Sequence, residues 1–242
     1  MATENESLSG CAWYAKRMGW ELKRGNLMVE GTSDVDYFYC ASRCHYKATG
    51  LKLLGEDFAV FAAGLGDSGG TYGVLERFPT LFQIALVDLD HGGKRRHRCI
   101  ALLDDDNMGR SAVSSITRSH RQIIEYESIF RLRRIMPMKA GSSRVLEERT
   151  RSQNLGFGKM DCVIEDLLPQ ALTKRFLEIH PNATSRPTIV QGLGVHYYWT
   201  DAGKRDLLRF VKANATAAEL AGLIEVLKAL RSYVNLPSDG II

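Results

Sequence analysis

Residues 99–109 read CIALLDDDNMG, and the architecture of the chain follows from this stretch. Its five consecutive apolar residues are typical of a strand that is buried on both faces, as in a parallel sheet. Behind the three aspartates, residues 109–120 have the small residues and the apolar spacing of a helix. A buried strand followed by a helix is the repeating unit of an α/β fold, so the same unit should recur elsewhere in the chain.

The unit occurs twice more on the N-terminal side. The apolar residues 27–29 end at Glu30, and residues 32–34 then supply three residue types that cap helices. Residues 58–64 form a second apolar run, which a Gly-rich turn connects to a helix that Pro79 is expected to interrupt. Strands that alternate with helices predict an α/β fold with a mostly parallel sheet and helices on both faces.

The remaining segments divide the chain into three parts. Residues 1–25 carry a short amphipathic helix, and residues 26–137 carry the α/β core, whose last strand is expected within residues 122–136. Residues 138–242 predict a mainly helical C-terminal extension. At its start, the polar and Gly/Ser-containing residues 139–159 predict a surface loop.

Composition places the chain among ordinary globular proteins. Of its 242 residues, 45% are apolar and 25% are charged, which excludes a disordered chain, and no apolar run is long enough to span a membrane. The net charge of +4 permits a polyanionic partner but does not require one. The first ten residues lack the basic and apolar regions of a secretory signal, so we expect a cytoplasmic protein whose five cysteines are reduced.

Acidic residues follow two of the predicted strands, at the sheet edge where α/β proteins bind ligands. One cluster is Glu30 with Asp34, and the other is the run of three aspartates. Alternation along an extended chain puts Asp104 and Asp106 on one face and Asp105 on the other, where it should tolerate asparagine. Crowded carboxylates raise one another's pKa unless a cation neutralises them, and oxygen ligands suit Mg²⁺ or Mn²⁺. The alternative is a solvated turn that caps the next helix.

Both clusters resemble motifs of the Toprim domain, which occurs in topoisomerases, primases, a ribosomal-RNA maturase and the OLD (overcoming lysogenization defect) nucleases. VEGTSDVDYF, residues 29–38, looks like its first motif, and LLDDDNMGRSA, residues 102–112, resembles its second, D-x-D-x-x-G. The resemblance covers about residues 26–137 and implies a Rossmann-like Toprim fold. It also implies Mg²⁺-dependent chemistry on a phosphodiester, with these site residues: Glu30, Asp104 and Asp106, and Asp34 beside them.

Within this family the chain is most similar to nucleases, because its length leaves room for neither a strand-passage domain nor a primase's additional domains. VIEDLLP, residues 163–169, is similar to an acidic segment of OLD-like nucleases and of the nuclease of PARIS-type antiphage systems, and GKRDLL, residues 203–208, resembles their lysine-bearing stretch. The similarity implies that Glu165 serves a second metal position and that Lys204 contacts the scissile phosphate. Otherwise Glu165 is an ordinary helix-start acid and Lys204 a solvated surface lysine.

The expected function is therefore that of a divalent-metal-dependent endonuclease acting on DNA or RNA. OLD-type and PARIS-type nucleases work with an ABC-type ATPase, and this sequence has no phosphate-binding G-x-x-x-x-G-K-[ST] motif. The resemblance thus implies a separate ATPase partner and a role in antiphage defence, and it is compatible with a homodimer. Two alternatives stay open, namely a non-catalytic nucleic-acid-binding or regulatory subunit and an RNA-maturation endonuclease.

The sequence contains three further patterns that could carry a function. GDSGG, residues 66–70, resembles a serine-protease motif around Ser68, but its place early in the chain favours a Gly-rich turn after the second strand. VDLDHGG, residues 87–93, is a second D-x-D pattern, which we assign to the end of a helix. Basic runs at residues 94–98, 118–121 and 131–134 flank the acidic strand and predict one positive surface around the metal site.

Overall fold

The computed structural model describes residues 9–64 and 69–242, which form a mixed α/β fold. Residues 1–8, which belong to the segment without a secretory signal, lie outside the described residues. Ser68 of the expected Gly-rich turn also lies outside them. In chain order the elements are α1 (Gly10–Met18), β1 (Gly25–Val29), α2 (Thr32–Thr49), β2 (Phe58–Ala62), α3 (Gly70–Val87), β3 (Arg98–Leu103), α4 (Asn107–Ser119), β4 (Ile129–Arg131), α5 (Ser143–Asn154), two 3₁₀ turns (Leu155–Phe157 and Ile164–Leu167), α6 (Gln170–Ile179), β5 (Ile189–Gln191), β6 (Gly194–His196), α7 (Asp201–Asn214) and α8 (Ala221–Tyr233).

The central sheet has four strands in the order β2-β1-β3-β4, and every neighbouring pair is parallel. The prediction of a parallel sheet flanked by helices is therefore confirmed. In this doubly wound order the chain leaves β1 toward β2 and later returns to β3 on the other side of β1. Such a reversal between β1 and β3 leaves a crevice beyond their carboxyl ends, which is the usual ligand site of open α/β sheets.

Alternate residues of each central strand face two separate apolar layers. From β3, Ile100 and Leu102 enter the first layer, which also contains side chains of α2 and α8. Cys99, Ala101 and Leu103 enter the second layer, together with side chains of α1, α3 and α4. Because both faces of the strand are covered, its sequence is apolar without alternation.

The C-terminal part of the chain belongs to the first of these layers. Leu172 of α6, Leu207 of α7 and Leu223 of α8 are fully buried in one cluster with Leu27 of β1 and Val60 of β2. Residues after α5 therefore share the core of the sheet. This packing carries the start of α7 and the second 3₁₀ turn to the carboxyl ends of the strands, where the acidic residues lie.

Two predictions of local structure are wrong. The segment predicted as a surface loop contains helix α5, because Leu146 and Thr150, one turn apart, form a narrow buried stripe on an otherwise polar helix. Helix α3 continues through Pro79, which is itself buried in the second apolar layer. Tertiary packing of the residues around Pro79 compensates for the backbone hydrogen bond that proline cannot make.

Two further assignments are too broad. Only Ile129–Arg131 of the expected last strand pairs with the sheet. The acidic segment around Glu165 forms a 3₁₀ turn, and the α-helix begins after Pro169. In the part of the chain that the structure describes, no helix is long and apolar enough to cross a membrane.

Candidate active site

Glu30 and Asp104 lie side by side where β1 and β3 end, at the reversal point of the sheet. The Glu30 Oε1 atom accepts a hydrogen bond of 2.9 Å from the backbone N–H of Asp104. Its Oε2 atom accepts one of 2.6 Å from the hydroxyl of Thr71, in the first turn of α3. The Glu30 carboxylate thus connects both strand ends with the start of a helix. Thr71 was not predicted as a site residue, because only the strand order brings it to Glu30.

Asp34 and Asp106 both use one carboxylate oxygen to cap backbone N–H groups. Asp34 Oδ2 accepts from Gly31 N at 2.9 Å, and Asp106 Oδ1 accepts from Gly109 N at 2.8 Å, at the start of α4. The helix-capping interpretation is therefore confirmed for Asp106. The two interpretations do not exclude each other, because Asp106 also lies near enough to Glu30 for its negative charge to help raise the Glu30 pKa, after burial.

The glycine of the D-x-D-x-x-G pattern has a steric role. A Cβ atom at Gly109 would lie 1.9 Å from the carbonyl oxygen of Asp104. Only glycine therefore lets α4 begin so close to the end of β3. The spacing of the pattern places the two aspartates and the helix N-terminus around one point.

Glu165 and Lys204 reach the same place from the C-terminal part of the chain. The Lys204 Nζ atom lies 3.8 Å from Glu165 Oε2, and the Lys204 side chain is 43% exposed. Glu165 is buried at 3% exposure, and its Oε2 atom has no hydrogen-bond partner among the described residues. Neither residue is simply a solvated surface group, so the structure brings together the residues that the family resemblance implied.

The electrostatics of the cluster are those of crowded, poorly solvated carboxylates. Burial, assisted by the charges of Glu165 and Glu30, raises the pKa of Asp34 to about 7. Burial and the charges of Asp34, Glu30 and Glu165 raise the pKa of Asp104 well above its usual value. Burial lowers the pKa of Lys204, but the surrounding carboxylates more than offset this effect and raise it. The ammonium group is therefore held in its charged form by the cluster.

The described residues fit a divalent cation in charge and in donor type. The donors are all carboxylate oxygens, as Mg²⁺ and Mn²⁺ prefer, and bound positive charge would relieve the repulsion that raises their pKa values. Glu165 Oε2 accepts no hydrogen bond from the described residues, and Lys204 Nζ lies 3.8 Å from it. Candidate ligands are Glu30, Asp34, Asp104, Asp106 and Glu165.

In residues 9–64 and 69–242, however, no three His, Cys, Asp or Glu side chains are grouped closely enough to hold one metal ion. A physical reason is visible in the hydrogen bonds. The carboxylates of Glu30, Asp34 and Asp106 are each turned toward a backbone N–H group. Binding a shared cation would require them to exchange some of these bonds for the ion.

We expect the metal-free protein to lose stability as the pH rises. The folded state holds Asp34 with a pKa of about 7 against a usual value of 3.8, so it binds more protons than the unfolded chain between these values. The free energy of unfolding should then fall from about pH 4 to about pH 7. Thermal unfolding in EDTA across this range measures the effect.

The matched variant for this prediction is Asp34→Asn, which keeps an oxygen for the Gly31 N–H and removes the charge. It should flatten the pH dependence and raise Tm at about pH 8 by roughly 3–6 °C. A Tm in EDTA that rises with pH, or a variant less stable than the parent at about pH 8, would contradict the assignment.

Asp105 belongs to a separate ionic cluster on the other side of the chain. It is buried at 2% exposure, its backbone N–H donates to Cys162 O at 2.9 Å, and Arg133 donates a hydrogen bond to its carboxylate. Arg131 and Arg110 lie 3.3 and 3.5 Å from its Oδ1 atom. Asp105 faces away from the other acids as predicted. Its environment argues against the expectation that it tolerates asparagine, because the substitution would remove the buried countercharge that three arginines share.

A third polar cluster, which sequence patterns did not identify, supports Glu165. Its neighbour Asp166 accepts a hydrogen bond of 2.8 Å from His196 Nδ1 and one of 3.0 Å from Val163 N. Arg134 donates to the carbonyl of Asp166 at 2.8 Å. These bonds fix the 3₁₀ turn that carries Glu165. His196 lies on a short hairpin strand with no chemical signature in its sequence, so no pattern could have indicated it.

The basic runs do not surround the acidic residues. Strand β3 begins at Arg98, so residues 94–98 lie at the amino ends of the strands, about 20 Å from Asp104. Helix α4 starts at the carboxyl ends and runs back, which carries residues 118–121 to the same far edge. The arginines of residues 131–134 pair with the buried Asp105 and Asp166. The predicted positive surface around the site is therefore wrong.

The second D-x-D pattern lies at the end of α3, as predicted, and therefore at the far edge of the sheet. Asp88 is buried and lies 3.6 Å from Arg96, and Asp90 Oδ1 accepts hydrogen bonds from the backbone of Gly92 and Lys94, at 2.9 Å each. Both aspartates have structural roles in a turn. Asp88→Asn and Asp90→Asn should therefore keep any metal-dependent activity within about tenfold, roughly 1.4 kcal/mol in the barrier. A loss as large as that of an Asp104 variant would contradict this assignment.

Comparison of the chain with protein-family models, curated proteins and solved structures found no match.

Proposed function

We propose that this chain is a Toprim-type, divalent-metal-dependent endonuclease that cleaves phosphodiester bonds in DNA or RNA. One observation carries the proposal: Glu30, Asp34, Asp104 and Glu165 converge with Lys204 at the reversal point of a parallel sheet. The same residues are the ones that the family resemblance names, although they come from four separate segments of the chain.

The energetic cost of this cluster favours a functional role. Carboxylates whose pKa values are raised by burial and by one another destabilise the folded protein at neutral pH. Perturbed groups of this kind, gathered in a crevice, are typical of active sites. A chain that used these residues only for folding would be more stable with amides or apolar residues in their place.

In this proposal the carboxylates and the lysine of the site have different roles. Glu30, Asp34, Asp104, Asp106 and Glu165 would hold the cation or cations. When bound, such a cation supplies positive charge that activates a water molecule and stabilises the negative charge of the phosphate in the transition state. Lys204, which is charged and partly exposed beside Glu165, would contact a phosphate oxygen and orient the scissile group.

The proposal extends to the biological setting that the resemblance implies. We propose antiphage defence, with a separate ABC-type ATPase as partner and with DNA or a tRNA-like RNA as substrate. An ATPase that recognises infection would supply the trigger. The RNA-maturation endonuclease is the second enzymatic form of the same chemistry.

A specific observation favours the non-catalytic alternative, a nucleic-acid-binding or regulatory subunit. In the described part of the chain no three candidate ligands are grouped for one metal ion, and two of the three basic runs, residues 94–98 and 118–121, lie at the opposite edge from the acids. Under this alternative, divalent cations would neither stabilise the protein nor support cleavage.

The test is incubation of the purified chain with labelled plasmid DNA and total tRNA, in Mg²⁺, Mn²⁺ or EDTA. Cleavage of either substrate that EDTA abolishes and an Asp104→Asn variant lacks would support the proposal. Cleavage that survives undiminished in the variant would contradict the assignment of Asp104 to the reacting centre. If no cleavage occurs with any cation, and Mg²⁺ and Mn²⁺ leave Tm unchanged, the non-catalytic alternative replaces the proposal.

Lys204 and Glu165 should affect activity in different ways. A lysine that stabilises charge during the chemical step acts mainly on kcat, so Lys204→Ala should lower kcat by about a hundredfold with little change in KM. Glu165→Gln removes a cation ligand and should raise the Mg²⁺ concentration required for half-maximal activity. Steady-state kinetics at several Mg²⁺ concentrations separate these effects. An unchanged kcat in Lys204→Ala, or an unchanged Mg²⁺ requirement in Glu165→Gln, would remove that residue from the site.

A further inference from the structure

A cavity of about 520 Å³ opens at the amino edge of the sheet, opposite the acidic residues. Its base is formed by the first residues of β3, including Arg98, and its walls by the last turns of α3 and by Tyr233 at the end of α8. Loops on either side of β4 complete it. The volume is within the range of pockets for small molecules, about 300–1,000 Å³.

The charged lining of this cavity is mostly positive. Among the described residues that line it, Arg95, Arg98 and Lys139 supply positive charge, and Glu127, which is exposed, supplies the negative charge. Lys139 Nζ donates to Asn235 Oδ1 at 3.1 Å and so makes no ion pair there. The cavity therefore attracts anions.

Arg98 is the most informative of these residues. It is half-buried, and in the part of the chain that the structure describes its guanidinium makes neither a hydrogen bond nor an ion pair. Burial, with the positive charges of Arg95 and Arg24, lowers its pKa. A partly desolvated guanidinium beside other cations is costly unless an anion accompanies it. A phosphate group would supply the missing acceptors with matching geometry.

The rest of the lining is apolar and aromatic. Phe82, Leu86, Ile100 and Tyr233 provide apolar surface, and Tyr126 adds a second tyrosine ring. Tyr126 has a φ of 69°, in the left-handed region that a tyrosine adopts only at a cost. Cationic groups beside aromatic walls suit a ligand that carries both a phosphate and a planar ring.

We propose that this cavity binds a nucleoside 5′-monophosphate group, with the phosphate at Arg95 and Arg98 and the base against the aromatic wall. The group could belong to a free nucleotide or to the 5′ end of a nucleic acid, because both present the same chemistry. The inference is independent of the proposed nuclease function, because the cavity shares no residue with the acidic site and lies about 20 Å from it.

The test is isothermal titration calorimetry on the full chain in EDTA, with each of the four ribonucleoside 5′-monophosphates. The matching nucleosides lack the phosphate, and inorganic phosphate lacks the base. Each should therefore bind at least about tenfold more weakly than the best nucleotide. Short oligonucleotides with a 5′-phosphate or a 5′-hydroxyl distinguish the sources. Binding of the phosphorylated oligonucleotide in competition with the nucleotide assigns the site to nucleic-acid ends, and binding of the nucleotide alone assigns it to a free metabolite.

Variants determine whether binding occurs in this cavity. Arg98→Gln and Arg95→Gln should each weaken binding by about tenfold, whereas Glu127→Gln should tighten it severalfold, an effect that misfolding cannot imitate. Arg118→Gln, at an exposed arginine of the same edge outside the cavity, and Asp104→Asn should leave the affinity unchanged. Absence of binding by all four nucleotides, or an affinity in both arginine variants equal to that of the parent protein, would overturn the proposal.

Discussion

Asp104→Asn is expected to abolish metal-dependent cleavage, with kcat lowered by at least about a thousandfold, or roughly 4 kcal/mol in the barrier. The substitution removes a candidate ligand whose backbone N–H still bonds Glu30, so the geometry of the strand ends is kept. In EDTA the variant should be at least as stable as the parent, because repulsion with Asp34 and Glu30 is relieved. Cleavage kinetics on the responsive substrate and thermal unfolding measure both effects.

Asp36→Asn is the matched control for this variant. Asp36 lies two residues after Asp34 on α2, and its half-exposed carboxylate pairs with Lys212 at 2.7 Å. Loss of this surface ion pair should cost less than about 1 kcal/mol and leave kcat unchanged. Equal activity of Asp104→Asn and the parent, or an equal loss in Asp36→Asn, would exclude Asp104 as a ligand of the reacting centre.

Arg231→Met is expected to cost about 3–5 kcal/mol of the free energy of unfolding, or roughly 6–20 °C in Tm. The guanidinium is fully buried and makes two hydrogen bonds of 2.8 Å to the carboxylate of Asp57. It also donates to the carbonyls of Leu53 at 2.6 Å and Pro237 at 2.7 Å. Methionine fills a similar volume but leaves the carboxylate and the Leu53 carbonyl without these donors, and the Pro237 carbonyl keeps only a bond of 3.3 Å from Gly240 N. Urea unfolding with extrapolation to water measures the loss.

Arg209→Met provides the comparison for this prediction. Arg209 also bonds an aspartate at 2.8 Å, Asp206, but the Arg209 side chain is exposed and that of Asp206 is partly exposed. Its replacement should change the free energy of unfolding by less than about 1 kcal/mol. Burial is then the variable that separates the two arginines. A loss below about 1 kcal/mol for Arg231→Met would mean that solvent or repacking satisfies the abandoned groups.

The sequence indicates the sheet because burial on both faces requires unbroken apolar runs, and such runs can be recognised locally. Glu30 and Asp104 follow from the same logic, since parallel strands end at one edge. The position of Gly109 in the D-x-D-x-x-G pattern was also informative, because a close helix start needs it. Only the family resemblance indicates Glu165 and Lys204, because their spacing from the strands in sequence does not show that they lie near Glu30 and Asp104.

The structural features that the sequence did not predict correctly each have a physical explanation. The basic runs at residues 94–98 and 118–121 are near the acids in sequence, but a strand and a reversed helix carry them to the opposite edge. Helix α5 was missed because two buried residues suffice to dock a helix that is otherwise polar. His196 could not be found because its partner Asp166 lies thirty residues away, and only tertiary structure brings the two together.

The packing of the C-terminal helices onto the sheet has a consequence for the order in which this site is assembled during synthesis. Glu30, Asp34 and Asp104 leave the ribosome long before Lys204, so a nascent chain carries the acids without the ammonium group that offsets their charge. Leu207 can join the buried cluster that contains Leu27 only after most of the chain has been made, and such non-local packing forms slowly. The complete constellation therefore forms only after Lys204 has been synthesised and has packed against the sheet, and any translation product that ends before residue 204 lacks it.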